Sequence, residues 1–360
     1  MALKIIRGKQ LPIGVDAGSS SVKLAQLRLS DDAVELTASG AADVPAAGGD
    51  DRSARLEGLS EGIREIMRTG RFKGTQAVLS LPAEETIVQH IKIEKVPPQR
   101  TGEAVIGELR GKLPYDVKQA VVRHVVAGDI YVEGEPKQEV IAVAAPRHVV
   151  ESYIDMAHRA KLDVTGVNVE PCAIVECFSR LFRRASDASR AILFVDLGAK
   201  TTQVVLSHGS RMVFARNLPH GGERLDAAVA EAMGVPAEQA HALRQDLLNG
   251  LLGPEEQEGL YRMLDEPLDA LAGEITKCLR YYESVFRNQD VERAIFVGGQ
   301  AADRRLCQAI AKRLNLPAQV GDPLIRVGGV TCPGDGVDRR QPQPRWAVAV
   351  GLSLGAGLAA

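Results

Sequence analysis

Ile13-Gly14-Val15-Asp16-Ala17-Gly18-Ser19-Ser20-Ser21 is answered half a chain later by Leu193-Phe194-Val195-Asp196-Leu197-Gly198-Ala199-Lys200-Thr201-Thr202. Each copy is an apolar run ending in Asp-x-Gly, then small hydroxyl-rich residues, then a second apolar run at 22–29 or 203–206. The pattern predicts two β-hairpins. Glycine lets the backbone turn tightly and approach a ligand, and hydroxyls beside bare amides can grip phosphate oxygens. An aspartate at the strand end can hold a hydrated magnesium, which needs only one or two carboxylates. One Asp-x-Gly hairpin is an ordinary turn. Two in matching positions point to a duplicated α/β fold that closes both hairpins around one nucleotide.

Composition narrows the class. A chain of 360 residues is long enough for two domains with separate cores. A hydrophobic fraction of 45% and a charged fraction of 25% are those of ordinary globular proteins. The net charge of -2 makes no electrostatic case for nucleic acid or an anionic membrane. Cys172, Cys177, Cys278, Cys307 and Cys332 form no CxxC pair and read as buried thiols of a reducing compartment. The first ten residues lack the apolar core of a signal peptide, and 347–360 is too short and glycine-rich to span a bilayer. The expectation is a cytoplasmic protein.

Around the hairpins the pattern predicts strands near 34–42, 77–82, 85–94, 121–130, 140–144, 164–169, 212–217 and 294–297. Helices are expected over 56–67, 102–113 (stopped by Pro114), 147–160, 222–249, 303–314, and in a long stretch ending near Phe286. Segments 46–51 and 330–344 read as loops. Three further constellations stand out. In Pro219-His220-Gly221-Gly222-Glu223-Arg224, paired glycines open a helix whose free amides suit a phosphate or ribose. Taken alone, a glycine turn before a capped helix explains it equally well. Phe296-Val297-Gly298-Gly299-Gln300 is a strand followed by bare backbone on which a flat adenosine can lie. Val169-Glu170-Pro171 puts a carboxylate at a strand end just upstream of the second hairpin, a position from which to orient an attacking water.

The order of these motifs resembles the actin-like ATPase superfamily and, within it, the PilM family of type IV pilus assembly proteins, with the FtsA family next. Closer resemblances lie in Ala144-Ala145-Pro146-Arg147, Asn168-Val169-Glu170-Pro171, Arg216-Asn217-Leu218-Pro219, Tyr281-Tyr282-Glu283-Ser284 and Val348-Ala349 with Gly351-Leu352. Together they span about residues 11–356.

The resemblance implies an actin-like α/β fold of two duplicated halves with an FtsA-type insertion. The first half would occupy 1–75 and 151–188, the insertion 76–150, the second half 189–345, and a C-terminal helix 346–360. ATP and magnesium are the implied cofactors. Asp16 and Asp196 would hold the cation through waters. Gly18, Ser19, Ser20, Ser21 and Gly198, Ala199, Lys200, Thr201, Thr202 would cradle the phosphates. Gly221, Gly222 and Glu223 would approach ribose and phosphate, Gly298, Gly299 and Gln300 would line the adenosine, and Glu170 would position water. Lys23 matches a family lysine; it either serves the site or faces solvent. The implied partner is the N-terminal cytoplasmic peptide of a PilN-like bitopic membrane protein, received beside strands 87–93 and 121–126. Membrane attachment would then come only through partners, with self-association left open.

Three positions depart from the family pattern. Gln300 replaces a third glycine, His241 replaces a lysine in Ala237-Glu238-Gln239-Ala240-His241, and Glu108-Leu109-Arg110-Gly111-Lys112-Leu113-Pro114-Tyr115 reduces an insertion motif. Gln300 and His241 keep a competing reading open, a degenerate interaction module without nucleotide. An FtsA-like division filament protein would need a membrane-binding amphipathic tail, and 351–360 has no polar face. A small-molecule kinase would need an aspartate base aimed at a substrate hydroxyl, for which no motif presents itself.

Overall fold

The computed structural model describes residues 8–30, 33–44, 51–182, 187, 190–286, 289–329 and 337–355. Positions 46–50 of the expected loop 46–51 and 330–336 of the expected loop 330–344, with Cys332, lie outside the described residues, as do 1–7 and 356–360.

The duplication is written into the sheets. In the first half, β1 (Lys9–Ala17), β2 (Ser21–Leu29) and β3 (Val34–Asp43) form an antiparallel meander, and β4 (Gln76–Leu81) and β8 (Asp163–Val169) extend it in parallel beyond β1. In the second half, β9 (Ala191–Leu197), β10 (Thr202–His208) and β11 (Arg211–Leu218) repeat the meander, with β12 (Val291–Val297) and β13 (Ala318–Val320) parallel beyond β9. The strand orders β3-β2-β1-β4-β8 and β11-β10-β9-β12-β13 are thus the same path twice. Buried parallel strands read as continuous apolar runs, and all seven residues of β9 are buried.

Helix α1 (Arg52–Thr69) turns Leu56, Leu59, Ile63 and Ile66 inward at helical spacing. With α3 (Arg147–Arg159), which supplies Tyr153 and Met156, it covers one face of the first sheet. The other face is covered by α4 (Glu170–Ser179) and α10 (Ala347–Gly355). The last helix is tied down by Ser353, whose hydroxyl donates to Pro12 O at 2.8 Å and accepts from Leu27 N at 3.2 Å.

The helical stretch expected over 222–249 is two helices, α5 (Gly222–Met233) and α6 (Ala237–Leu248), parted by a turn ending in Pro236. Then come α7 (Pro254–Met263), α8 (Asp265–Val285) and α9 (Arg304–Leu314). Cys177, Cys278 and Cys307 are buried and Cys172 partly so. Burial pushes the Cys278 thiol up to about 11 and that of Cys307 to about 12, so both stay protonated at neutral pH.

A third, smaller sheet stands apart. β5 (Ile87–Glu94), β6 (Ala120–Val132) and β7 (Glu135–Pro146) pair in the order β5-β7-β6 and pack on α2 (Pro98–Leu109) around Ile91, Val105, Leu109 and Val140. Its strands span 87–146. Segment 76–81, expected to open the insertion, is instead β4, because Ala77 and Leu79 pair with Ile13 and Val15 in the larger sheet. The helix expected over 102–113 begins four residues earlier, with Pro98 in its first turn, and ends at Leu109 before Pro114 is reached. The small sheet leans on the second half. His90 stacks on Phe214 at 4.6 Å, and fully buried Glu139 receives the Tyr281 hydroxyl at 2.7 Å with His90 Nδ1 2.9 Å away.

Candidate functional site

Both Asp-x-Gly turns open into one cleft between the halves. In the first hairpin the antiparallel register sets Lys23 opposite Asp16. Asp16 is 5% exposed, and Lys23 Nζ donates to its Oδ2 at 3.0 Å. Lys23 therefore turns into the cleft rather than to solvent. In the second hairpin the same register sets Gln203 opposite Asp196. Gln203 donates its amide to Glu170 Oε2 instead. Glu170 is the first residue of α4, where β8 ends, and is buried.

Burial and neighbouring carboxyls oppose the ionisation of Asp196 and Glu170. Burial first, then the charge of Asp16, pushes Asp196 up to about 7, with Lys23 pulling the other way. Glu170 is raised well above the carboxylate range, chiefly by burial and then by Asp16, Asp196 and Glu84.

The floor comes from the end of β12. Gly298 has a φ of 90°, and a Cβ there would lie 2.3 Å from Asp196 Oδ1, so only glycine lets the turn pass beneath that carboxylate. Its N–H donates to Pro344 O at 3.1 Å, bringing the turn Pro344–Trp346 to the cleft. Gly18, Ser19, Ser20, Ser21, Gly198, Ala199, Thr201, Gly298, Gly299 and Gln300 line the cleft with the acids and Lys23. Thr202, Gly221 and Gly222 line a tight adjoining apolar pocket, and Gln300 lines both it and the cleft. Lys200 and Glu223 line neither.

The Gly221-Gly222 turn corrects the expectation of free amides. Gly222 N–H donates to Gly198 O at 3.0 Å, and Glu223 N–H to Ala199 O at 2.8 Å. A Cβ on Gly221 would stand 2.4 Å from Ala199 O. The glycine pair is needed because α5 is pressed onto the second hairpin, and these two amides are spent on protein carbonyls.

Several residues at the site carried no motif. Gln203, Pro344, Arg345 and Ala347 line the cleft, beside Val348 of the resemblance stretch. Arg55 donates to Gly18 O at 3.1 Å, and Ser19 donates to Glu84 at 3.3 Å, bracing the first hairpin from outside. Buried Arg244 donates to Gly222 O at 3.0 Å, Asp226 Oδ1 at 2.6 Å and Gln300 Oε1 at 2.5 Å. It lies one turn beyond His241, whose Nδ1 is 2.8 Å from Asp226 Oδ2. The positive charge absent at 241 thus stands at 244, and helical spacing was the signal that could have found it.

Among the described residues no group of three or more His, Cys, Asp or Glu converges as a metal site. Two oxygen donors at facing strand ends suit a hard cation that keeps most of its waters. The fold and this cleft define an actin-like ATPase fold. The PilM–PilN type IV pilus biogenesis complex contains a chain that matches with a TM-score of 0.79 at 22% identity, over 96% of this chain and 98% of that one. The ethanolamine utilization protein EutJ from Carboxydothermus hydrogenoformans matches with a TM-score of 0.54 at 14% identity, over 96% and 89%. A family profile described as type IV pilus assembly protein PilM matches residues 14–356, and the chain belongs to that family.

Proposed function

We propose that the cleft binds ATP with magnesium and that the protein is a nucleotide-responsive scaffold of a type IV pilus, or related type II secretion, assembly complex. The observation that carries this reading is the meeting of both hairpins, Glu170 and the Gly298-Gly299 turn in one cleft. Asp16 and Asp196 hold the cation through waters, and residues 18–21 with Gly198, Ala199 and Thr201 surround the phosphates. The cation supplies positive charge that neutralises the aspartates and screens the phosphates. Gly221, Gly222 and Glu223 act one step back, by fixing the second hairpin. Gln300, held by Arg244, borders the adenosine.

Glu170 is the candidate for orienting water, aimed by Gln203. Burial, then the charges of Asp16 and Asp196, push its pKa upward, a direction that suits slow turnover or none.

No helix among the described residues is long and apolar enough to cross a membrane. Recruitment to the inner membrane then falls to a partner. β5 and β6 are the two edges of the small sheet, and an extended peptide can add to such an edge through main-chain hydrogen bonds. The N-terminal cytoplasmic segment of a PilN-like protein is the partner this reading assigns, supported by the fold shared with the PilM–PilN complex.

Calorimetry tests the site. ATP should bind in a magnesium-dependent way, and Asp16→Ala or Asp196→Ala should remove the magnesium dependence; no heat from wild-type protein returns the reading to an interaction module without nucleotide. A synthetic partner peptide that gives no binding signal removes the recruitment part.

A further inference from the structure

Carboxyl groups outnumber cationic groups along the cleft. Asp16, Glu170 and Asp196 are all buried there. Lys23 is already committed to Asp16. Arg345 is the other cation among the described residues that line the cleft. It is exposed, and no carboxylate among the described residues forms an ion pair with it. Its guanidinium stands 5.5 Å from the ring centroid of buried Trp346, a contact that steadies the arm while leaving five N–H donors to spend. The Gly298 N–H to Pro344 O bond fixes its backbone beside the Gly298-Gly299 turn.

We propose that Arg345 binds the polyphosphate of the nucleotide, gripping it from the Gly298-Gly299 side while the two hairpins hold it from the others. This rests on the reading of the cleft as a nucleotide site. Magnesium offsets the aspartates, but a polyphosphate carries more negative charge than one cation cancels, and the cleft holds few cationic donors for the rest. Lys23 cannot serve without releasing Asp16. A planar guanidinium matches phosphate oxygens two at a time, whereas an ammonium offers a point charge.

The test compares wild type with Arg345→Ala and Arg345→Lys by calorimetry against ATP, adenosine and inorganic tripolyphosphate, each with magnesium, alongside melting of the free protein. Arg345→Ala should weaken ATP and tripolyphosphate about tenfold or more, the size of one charge-assisted hydrogen bond. Adenosine binding should hold, the salt dependence of ATP affinity should flatten, and Arg345→Lys should recover part of the loss. The melting temperature should hardly move, because Arg345 is exposed, has no ion pair among the described residues, and loses only a 5.5 Å contact over Trp346. ATP affinity within twofold of wild type in Arg345→Ala overturns the inference and leaves the nucleotide reading standing, and so does a loss that tracks falling stability. Tripolyphosphate bound through Arg345 with no ATP binding does the reverse. Binding of neither anion by wild type overturns both.

Discussion

The two hairpins share a turn and a register and differ in what surrounds them. Opposite Asp16 stands Lys23; opposite Asp196 stands Gln203, which reaches away to Glu170. Asp16 is therefore paired, whereas Asp196 meets a cation only at a distance and is driven up to about 7. The outer sides differ too. Side chains brace the first hairpin, Arg55 on Gly18 O and Glu84 on Ser19. Backbone amides of α5 brace the second at Gly198 O and Ala199 O. Side-chain braces can be exchanged for a ligand at small cost, while main-chain bonds at a helix start move only with the helix. Duplication gave two copies of one turn, and their neighbours have made one a charged, adjustable jaw and the other a fixed one.

The sharpest way to break this comparison is to neutralise each aspartate in magnesium-free buffer. Asp16→Asn should cost ~1.5–3 kcal/mol by urea unfolding, since it strands a mostly buried lysine. Asp196→Asn should cost nothing or stabilise, since it removes a carboxyl that burial and Asp16 disfavour. Equal losses in the two variants would end the argument.

A pH series sharpens it. Asp196 titrates near 7 folded against 3.8 for its ordinary value, so the folded state binds more protons in that window. Its contribution to stability is intact below 3.8 and falls as pH rises towards 7. His208, lowered to about 4 chiefly by burial, works in the opposite sense: stability falls as pH drops from 6.5 towards 4. The difference between wild type and Asp196→Asn cancels the histidine, and it should widen steadily between pH 4 and 7. A flat difference refutes the raised titration.

Gln203→Lys converts the second hairpin towards the first. It should raise the magnesium-free unfolding free energy by up to about 1 kcal/mol and release Glu170 from its amide partner. Smallest of all, His241→Lys should change ATP affinity by less than about fivefold, because Arg244 already carries the charge on that helix; a larger gain would show that Arg244 is spent on Asp226 alone.

The hairpins were legible because their chemistry is local: strand, Asp-x-Gly, hydroxyls, strand. Glu170 was legible from its place before Pro171. What escaped is what only packing creates. Gly221 and Gly222 announced a tight turn, but nothing in the residues said that hairpin carbonyls would take the amides. Arg345 lies 329 positions beyond Asp16 and reaches the cleft only because α10 folds back onto β1. Gln203 was within reach, since the register that pairs Asp16 with Lys23 pairs Asp196 with Gln203. The insertion was read eleven residues early because β4, buried and apolar, looks alike in either sheet.

The return of α10 also has a consequence in time. Ser353 closes over Pro12 and Leu27, on strands made more than 300 residues before it. At ~5–20 residues per second, the first sheet waits on the order of tens of seconds on the ribosome for the helix that seals it. Until then β1 and β2 present an apolar face with no cover, the surface that holding chaperones seek. A stall before α10 is made would thus leave the first half open, with its hairpin formed and its core unsealed.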